Sequence, residues 1–358
     1  MFSQNLSCGE AINPESRRTV HLLIVGNRGG TNVGGSFECA ARELALTVHM
    51  MQSADAAGSP VWLRRLRWHL LDRTPLRLEA FSAELVQFCR RVKPDLLLAT
   101  GPAPIHADAL REIGCLGVCR ANYLTDDPWN PAQRAGWFIK ALPQYDHLFT
   151  TRRSIIPDLG RSSSAGITFV PFAYDPALFY AEPLTGSERQ EFASDLCFAG
   201  GADADRVPYI SAASRTGLRV ALYGSYWERY KETRALTRGQ ADVATLRKAL
   251  CATRVALCLV RRANRDGHCM RTFEVPAVGA CMLVERTEEH LELFGPEGGM
   301  VLYFNEPREM SEKLQWLVAH DEERNRLRIA AHQFITRGRH TYRDRLSQML
   351  EATGLPRS

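Results

Sequence analysis

The feature that most constrains the fold is a repeated alternation of short apolar runs with segments of helical periodicity. The first apolar run, Val20 to Val25, ends in a glycine-rich turn, and the segment after it places Phe37, Ala40 and Leu44 on one helical face. The same alternation predicts strands at 46–51, 95–99, 116–119, 146–149 and 167–172, and helices at 81–92 and 105–113. Strands and helices that alternate with little spare chain are typical of an α/β fold with a parallel, doubly wound sheet.

The alternation starts again after a Pro-rich stretch, which predicts a second domain of the same kind. Its strands are expected at 195–199, 218–223, 255–260 and 281–284, and its helices at 241–250, 306–320 and 321–335. A chain of 358 residues also exceeds what one hydrophobic core usually supports. We therefore predict a polar N-terminal extension at 1–18, a first domain at 19–172, a linker at 173–190, a second domain at 191–339 and a C-terminal helix at 340–358.

Composition and charge argue against a nucleic-acid-binding, a disulfide-linked, a secreted or a membrane-spanning protein. The net charge of +5 is spread along the chain, which argues against a nucleic-acid partner. The ten cysteines form no C-x-x-C pair and lie mostly in apolar runs, so we expect buried, reduced thiols. Residues 1–18 lack the layout of a signal peptide, and no apolar run approaches the roughly 20 residues that span a bilayer. A cytoplasmic location is the expectation.

The segment from Trp62 to Leu71 interleaves tryptophans and leucines with arginines. This composition fits a helix that makes weak peripheral contact with an anionic membrane surface. It also fits an ordinary surface helix whose arginine stems cover apolar neighbours, and the shortness of the segment favours that interpretation.

The glycine-rich turn after the first strand contains Gly34 and Gly35, and a similar turn after the strand at 95–99 contains Gly101. No G-x-G-x-x-G is present, and the second strand does not end in an acidic residue, so we predict no nicotinamide cofactor. The first turn is either a tight strand-to-helix connection or part of a cleft that binds an acceptor substrate.

Asp126 and Asp127 follow a predicted strand and precede Pro128 and Trp129. They fit a helix cap, because Asp is favoured there. They equally fit hydrogen-bond acceptors for ligand hydroxyls with Trp129 as an apolar platform, since the carboxyl ends of parallel strands face the ligand crevice.

The stretch 265–280 follows a predicted strand and combines carboxylates, arginines and a histidine. Free N–H groups and the dipole of the following helix favour an anion there. Glu274 can accept two hydrogen bonds from a ribose diol, Asp266 would face a sugar, and His268 and Arg271 lie where a diphosphate needs compensation. The alternative is a helix cap at Asp266 and a surface ion pair between Glu274 and Arg271.

A second candidate anion site follows the predicted strand at 195–199. Gly200 and Gly201 let a ligand approach the backbone, and Arg206 stands where the next helix begins and can hold a phosphate.

Several of these runs together resemble the CgeB-like (spore-maturation type) glycosyltransferases. The resembling segments are 264–279, 283–287 and 340–343 in the second half, and 124–129 and 170–176 in the first. The resemblance implies a retaining glycosyltransferase of GT-B architecture, in which two Rossmann-like domains face a central cleft. It further implies a nucleotide-diphosphate-sugar donor on the second domain, a hydroxyl acceptor (a glycan, protein or small molecule) on the first, and neither a metal nor another cofactor.

The resemblance also implies residue roles. Retaining GT-B enzymes carry an E-x₇-E motif, in which the first Glu contacts the sugar and the second binds the ribose. Glu274 matches the second Glu, while the first position holds Asp266, which is one methylene shorter. Asp126 and Asp127 stand where many relatives have a histidine that supports the sugar.

The predicted donor-binding residues are Gly200, Gly201, Arg206, Gly224, Asn264, His268, Arg271, Thr272, Glu274 and Gly279. The predicted acceptor-cleft residues are Gly34, Gly35, Gly101 and Trp129. A competing hypothesis is a non-catalytic GT-B protein that binds a nucleotide sugar or has a structural role, because Asp266 is one methylene shorter than the motif's Glu and the histidine is missing.

Overall fold

The computed structural model describes residues 19–30, 32–58 and 72–355. Its first half forms a six-stranded parallel sheet with the strand order β2-β1-β3-β4-β5-β6. The strands are β1 (His21–Gly26), β2 (Thr47–Gln52), β3 (Leu96–Thr100), β4 (Cys119–Leu124), β5 (His147–Thr150) and β6 (Gly166–Phe169). The helices that connect them are α1 (Val33–Glu43), α2 (Leu78–Val92), α3 (Ala107–Cys115), α4 (Gly136–Ala141) and α5 (Ile156–Ser162).

The second half forms a five-stranded parallel sheet with the order β11-β10-β9-β7-β8. Its strands are β7 (Ser194–Ala199), β8 (Val220–Tyr223), β9 (Thr253–Cys258), β10 (Cys281–Glu285) and β11 (Leu302–Phe304). Its helices are α6 (Gly186–Glu191), α7 (Val207–Ser214), α8 (Val243–Ala252), α9 (Arg271–Ala277), α10 (Glu288–Phe294), α11 (Pro307–Ala319) and α12 (Asp321–Arg337). The predicted α/β class with two parallel, doubly wound sheets is confirmed.

The central strands are apolar because helices cover both faces of each sheet. In the first sheet, Leu22 of β1 lies between Val48 of β2 and Leu96 of β3, and Leu22 is fully buried. In the second, Leu257 of β9 lies between Phe198 of β7 and Leu283 of β10. Burial on both faces therefore produces the continuous apolar runs seen in the sequence.

The last helix, α13 (Tyr342–Ala352), packs on the first domain although it follows the second in sequence. The ring of Tyr342 lies edge-to-face against Phe37 of α1 with centroids 5.2 Å apart. The buried Arg345 guanidinium donates to the carbonyl oxygens of Pro171 and Phe172. This helix therefore ties the two halves of the chain together.

The strand predicted at 116–119 is wrong. Helix α3 extends to Cys115, Leu116 caps it with 40% of its surface exposed, and Gly117 adopts a left-handed φ of +81°. The chain must complete this turn before it can enter β4, which starts at Cys119. Local hydrophobicity at Leu116 and Val118 gave no sign of the turn.

Helix α6 begins inside the segment predicted as a linker without periodicity. It has no buried residue, so no apolar stripe marks it, and it depends on a capping box between Thr185 and Glu188. The N-terminal extension and the segment Trp62 to Leu71 lie outside the described residues. Across the described residues, no helix is both long and apolar enough to cross a membrane.

Candidate functional site

The candidate site lies where the carboxyl ends of four strands meet. The strand order reverses between β1 and β3 in the first sheet and between β7 and β9 in the second, and ligands of doubly wound sheets bind at such reversals. A cavity of about 460 Å³, which we call the central cavity, is lined by residues at these strand ends, among them Gly26, Thr100, Gly200 and Leu257. Both sheets therefore open onto one shared cavity.

A second cavity of about 820 Å³, the lateral cavity, adjoins the first on the side of β7 and β8. Its walls include Tyr226 after β8 and Gln240 before α8, whose side-chain amide donates to the Ser225 hydroxyl at 2.9 Å. The residues that line both cavities are Asn32, Ala199, Gly200, Arg261 and Arg271. Two of these five shared residues are arginines.

A third arginine stands beside this shared wall. Arg206 is 7% exposed, lines the central cavity, and donates to the carbonyl oxygens of Gly201 and Leu259 at 3.2 and 3.3 Å. Its Nε is buried without a hydrogen-bond partner among the described residues, since Asp203 Oδ2 stands 3.6 Å away. Burial lowers the pKa of Arg206, and the positive charge of Arg261 lowers it further.

Arg271 has the same character at the start of α9. Burial lowers the pKa of its guanidinium, and its Nε also lacks a hydrogen-bond partner among the described residues. A bound anion would offset the desolvation of both buried arginines, so the geometry fits a phosphate-bearing ligand.

Glu274 lies directly behind Arg271 and pairs with it through Arg271 Nη1. Its side chain is 2% exposed, and Glu274 lies outside the residues that line either cavity. The alternative of an Arg271–Glu274 pair was therefore right in its partners, but the pair is buried and not on the surface.

Asn264 joins the two domains at the floor of the central cavity. Its Oδ1 accepts from the backbone N–H of Asp127 at 2.9 Å, and its Nδ2 donates to Asp126 Oδ1 at 3.0 Å and to Asp266 Oδ1 at 3.1 Å. Asp266 in turn accepts from Arg152 Nε of the first domain at 2.6 Å. Two carboxylates, one from each domain, are thus held at the cavity by one amide.

Asp266 is buried at this junction. Burial raises the pKa of its carboxyl group, while the charge and hydrogen bond of Arg152 oppose that rise. Asp126 lines the cavity with it, and Asp126 Oδ2 accepts from the Thr125 hydroxyl at 3.2 Å.

Asp127 does not share this placement. Its Oδ1 accepts from Trp129 N–H at 2.9 Å, which closes a turn, and its Oδ2 accepts from Arg265 Nε at 2.6 Å across the domains. Both oxygens have structural partners, and Asp127 is absent from the residues that line the two cavities. Its geometry fits domain docking and not the predicted contact with a sugar.

Three predicted donor-binding residues lie behind the wall instead of on it. His268 Nε2 accepts from Phe172 N–H at 3.1 Å while Nδ1 pairs with Glu289, so both ring nitrogens are occupied. Thr272 is fully buried, and Gly279 lies at the far end of α9 with φ +75°. These placements do not fit direct contact with a diphosphate.

The predicted acceptor residues divide in a similar way. Gly101 lines the central cavity. Gly34 and Gly35 lie outside its lining: a Cβ on Gly34 would stand 2.9 Å from the Asn27 carbonyl oxygen, so this glycine serves the close approach of α1 to the preceding loop. Trp129 packs against the core of the first domain and is not among the residues that line either cavity.

The remaining predicted residues also have defined positions. Gly201 and Gly224 line the lateral cavity. Gly224 has φ +140°, and a Cβ there would lie 2.3 Å from the Gly200 carbonyl oxygen, so the ends of β7 and β8 can meet only at a glycine.

Sequence reasoning missed Arg152 and Arg261, although both border the central cavity. Arg152 follows β5 by two residues, so the rule that ligands meet the carboxyl ends of strands would have marked it. Cys269, one of the cysteines predicted to be buried thiols, also lines this cavity.

Comparison with known proteins now adds to this geometry. Residues 206–351 match a family model described as glycosyl transferase-like. This stretch contains Arg206, Asn264, Asp266, Arg271 and Glu274. A comparison with curated protein sequences found no match.

Solved structures with the same fold extend over nearly the whole chain. Sucrose-phosphate synthase from Thermosynechococcus elongatus is 14% identical, with a TM-score of 0.64 over 94% of this chain and 98% of that one. HepE from Anabaena, solved with UDP and glucose, is 12% identical, with a TM-score of 0.64 over 94% and 99%. A proposed UDP-N-acetylglucosamine 2-epimerase from Listeria monocytogenes is 11% identical, with a TM-score of 0.58 over 94% and 96%. The chain has the GT-B fold.

Proposed function

We propose that this protein is a glycosyltransferase that moves a sugar from a nucleotide-diphosphate sugar to a hydroxyl acceptor. The observation that carries the proposal is the pair of adjoining cavities, which meet at a wall formed by Gly200, Arg261 and Arg271. A nucleotide-diphosphate sugar has the same three parts: a nucleoside and a sugar separated by two phosphates. The match of residues 206–351 to a glycosyl transferase-like family supports the same assignment.

In this proposal the lateral cavity takes the nucleoside. Tyr226 offers an aromatic ring for the base, with the Arg229 guanidinium 4.1 Å from its centroid, and Gln240 offers an amide. Glu274 is buried behind Arg271, so in this proposal it reaches the ribose only after Arg271 turns from it towards the phosphates. Arg206 and Arg271 then compensate the charge of the leaving diphosphate.

The central cavity takes the transferred sugar and the acceptor hydroxyl. Its first-domain wall offers neutral hydrogen-bonding groups from Asn27, Thr100 and Thr125, together with the carboxylate of Asp126. Such a wall suits a hydroxylated acceptor. Asp126 accepts a hydrogen bond from the reacting hydroxyl, and Asp266 contacts the sugar.

The finer features rest on the sequence resemblance. They are membership of the CgeB-like glycosyltransferases, transfer of a hexose with retention of configuration, and transfer without a metal ion. Arg206 and Arg271 support the last of these, because they can stabilise a leaving diphosphate.

Donor binding tests the proposal first. A nucleoside diphosphate such as UDP, GDP or ADP should raise the melting temperature, since a ligand that binds only the folded state stabilises it. Arg271→Gln should weaken that nucleotide's Kd by about 10- to 100-fold, because a hydrogen bond to a charged group is worth about 1.5–3 kcal/mol. Arg308→Gln is the control, as Arg308 is 84% exposed. If no nucleotide binds, or if both variants bind like the wild type, the donor assignment is wrong.

Transfer is tested separately with the matching nucleotide sugar. Glu274→Ala should abolish donor binding and turnover, and near-normal turnover by this variant would contradict the assigned role of Glu274. The competing hypothesis of a non-catalytic binding protein is favoured by one observation: Asp266 is already bound to Arg152 and Asn264. Slow hydrolysis of the donor without acceptor supports an enzyme, whereas tight binding of an unchanged donor supports the alternative. Conversion of the sugar to its epimer would instead indicate an epimerase, an activity that the same fold accommodates.

A further inference from the structure

Two thiols face each other at the back of the central cavity. Cys258 ends β9 and is fully buried, and Cys269 lies two residues before α9 and lines the cavity. Their sulfur atoms are 3.6 Å apart. In a disulfide the two sulfurs would be about 2 Å apart, so a shift of about 1.5 Å would join them.

The hydroxyl of Thr272 determines which of the two thiols keeps its proton. His290 Nδ1 lies 2.8 Å from the Glu285 carbonyl oxygen, which can only accept, so Nδ1 carries the proton. Burial lowers the pKa of His290 to about 4, so the ring is neutral and Nε2 must accept. The Thr272 hydroxyl, 2.9 Å from Nε2, therefore donates its proton to His290.

With that proton committed, Thr272 Oγ1 acts only as an acceptor towards the sulfurs. It lies 3.5 Å from Cys258 Sγ, and it accepts from the Cys269 backbone N–H at 3.1 Å. The acceptor at Thr272 favours the protonated Cys258 thiol, whose single proton can be donated to Cys269 Sγ, so Cys269 is the sulfur that can ionise.

The surroundings favour the Cys269 thiolate. The hydrogen bond from Cys258 lowers the pKa of Cys269 and the charge of Arg206 adds to that, while burial and the charge of Asp266 act against it. By contrast, the hydrogen bond to Cys269 and burial raise the pKa of Cys258. A thiolate that borders a cavity next to a protonated thiol is the arrangement of a reactive cysteine and its resolving partner.

We propose that Cys269 and Cys258 form a peroxide-reactive pair that closes into a disulfide. The Cys269 thiolate attacks one oxygen of hydrogen peroxide, the O–O bond breaks, and Cys269 sulfenic acid and hydroxide form. The Cys258 thiol then attacks the Cys269 sulfur, the S–O bond breaks, and the hydroxyl leaves with the thiol proton as water. The two sulfurs are together oxidised by two electrons, and the peroxide is reduced to one hydroxide and one water.

The cross-link would act on the donor site through the loop it closes. This loop, residues 259–268, carries Asn264, Arg265 and Asp266, which make the contacts between the domains. The inference goes beyond the proposed transfer reaction and does not depend on it, because the chemistry needs no nucleotide.

The test is peptide mapping of the full chain after reduction, exposure to hydrogen peroxide and blocking of the remaining thiols. In the wild type we expect a disulfide between the peptides that contain Cys258 and Cys269. Cys258→Ala should lose the cross-link and leave Cys269 as a sulfenic acid that dimedone traps. Cys269→Ala should show neither product, and Cys281→Ala, which removes a buried thiol outside the pair, should keep the cross-link.

Two results would overturn the proposal: a wild-type protein whose Cys258 and Cys269 stay reduced at peroxide levels that oxidise the exposed Cys115, or a wild-type protein in which Cys269 is cross-linked to a cysteine other than Cys258. A measurement on the wild type alone covers the case in which a variant does not fold. Iodoacetamide at neutral pH should label Cys269 faster than Cys115, and slower labelling of Cys269 would contradict its assignment as the reactive thiolate.

Discussion

The ion pair between Arg152 and Asp266 should contribute measurably to the stability of the folded chain. The side chains are only 3% and 7% exposed, so the pair is buried and the small values typical of surface pairs do not apply. Arg152→Met leaves the Asp266 carboxylate buried without its cation, which typically costs about 3–5 kcal/mol. With an unfolding entropy of about 2.1 cal/mol/K per residue, a chain of 358 residues has about 0.75 kcal/mol/K, so Tm should fall by about 4–7 °C.

The loss should also depend on pH, with a defined sign. The folded-state pKa of Asp266 is raised by burial, so the folded chain binds more protons than the unfolded chain between the two pKa values, and stability falls as pH rises through that window. Arg152→Met removes the group that opposes this rise, which widens the window. The variant should therefore lose more stability at pH 7 than at pH 4.

Calorimetric scans of Arg152→Met, Asp266→Asn and the double variant test this reasoning. The double variant should lose less than the sum of the single losses, because it removes both charges together. Arg308→Met is the matched control: it breaks an ion pair with Glu312 whose side chains are 84% and 61% exposed, and Tm should change by about 1 °C or less. Single losses that add without coupling, or a Tm for Arg152→Met equal to that of the control, would refute the argument.

Three further predictions concern single substitutions. Gly217→Ala should lower the free energy of unfolding by about 1–2 kcal/mol, from its φ of +77° alone. Gly224→Ala should lower it clearly more in denaturant titrations, because the added Cβ would stand 2.3 Å from the Gly200 carbonyl oxygen. Equal losses would contradict the close approach of β7 and β8. His290 is fully buried and its pKa is lowered to about 4, so the unfolded chain takes up its proton first as pH falls. The free energy of unfolding should therefore fall by roughly 3 kcal/mol as pH drops from about 6.5 to 4. His290→Gln should flatten that slope, and an unchanged slope would refute the assignment to His290. Trp227→Phe removes the indole N–H that donates to the Gly200 carbonyl oxygen at 2.8 Å. This change should lower the free energy of unfolding by about 1–3 kcal/mol and weaken nucleoside diphosphate binding measured by calorimetry. Unchanged binding would show that Trp227 does not support the site.

Two of the arginines at the cavities, Arg206 and Arg271, could be singled out from the sequence because the turns that carry them are built locally. Gly200 and Arg206 follow one buried strand and Arg271 follows another, and the carboxyl ends of parallel strands in one sheet meet at the same edge. The apolar runs and the polar turns after them therefore contained the needed information. The fold class followed from the same alternation.

The parts that the sequence could not predict depend on how the two domains meet. Arg152 and Asp266 are 114 positions apart, and no local pattern indicates that they pair. His268 lies in a stretch full of candidate ligands, yet its ring contacts Phe172 of the first domain and Glu289 of α10. Its polar character was clear from the sequence, but its direction depended on packing against elements far along the chain.

The contacts of Asp266 give a physical reason for an aspartate at this position. Asp266 Oδ1 accepts from Arg152 and Asn264, and Oδ2 accepts from the Arg261 N–H at 3.2 Å. A carboxylate offers about four acceptor positions, so one remains on Oδ2 for a ligand hydroxyl. A glutamate would carry its carboxylate one methylene further and away from this set of donors. Asp266 therefore joins the contact between the domains, through Arg152, to the one acceptor position that it can still present to a ligand hydroxyl in the central cavity.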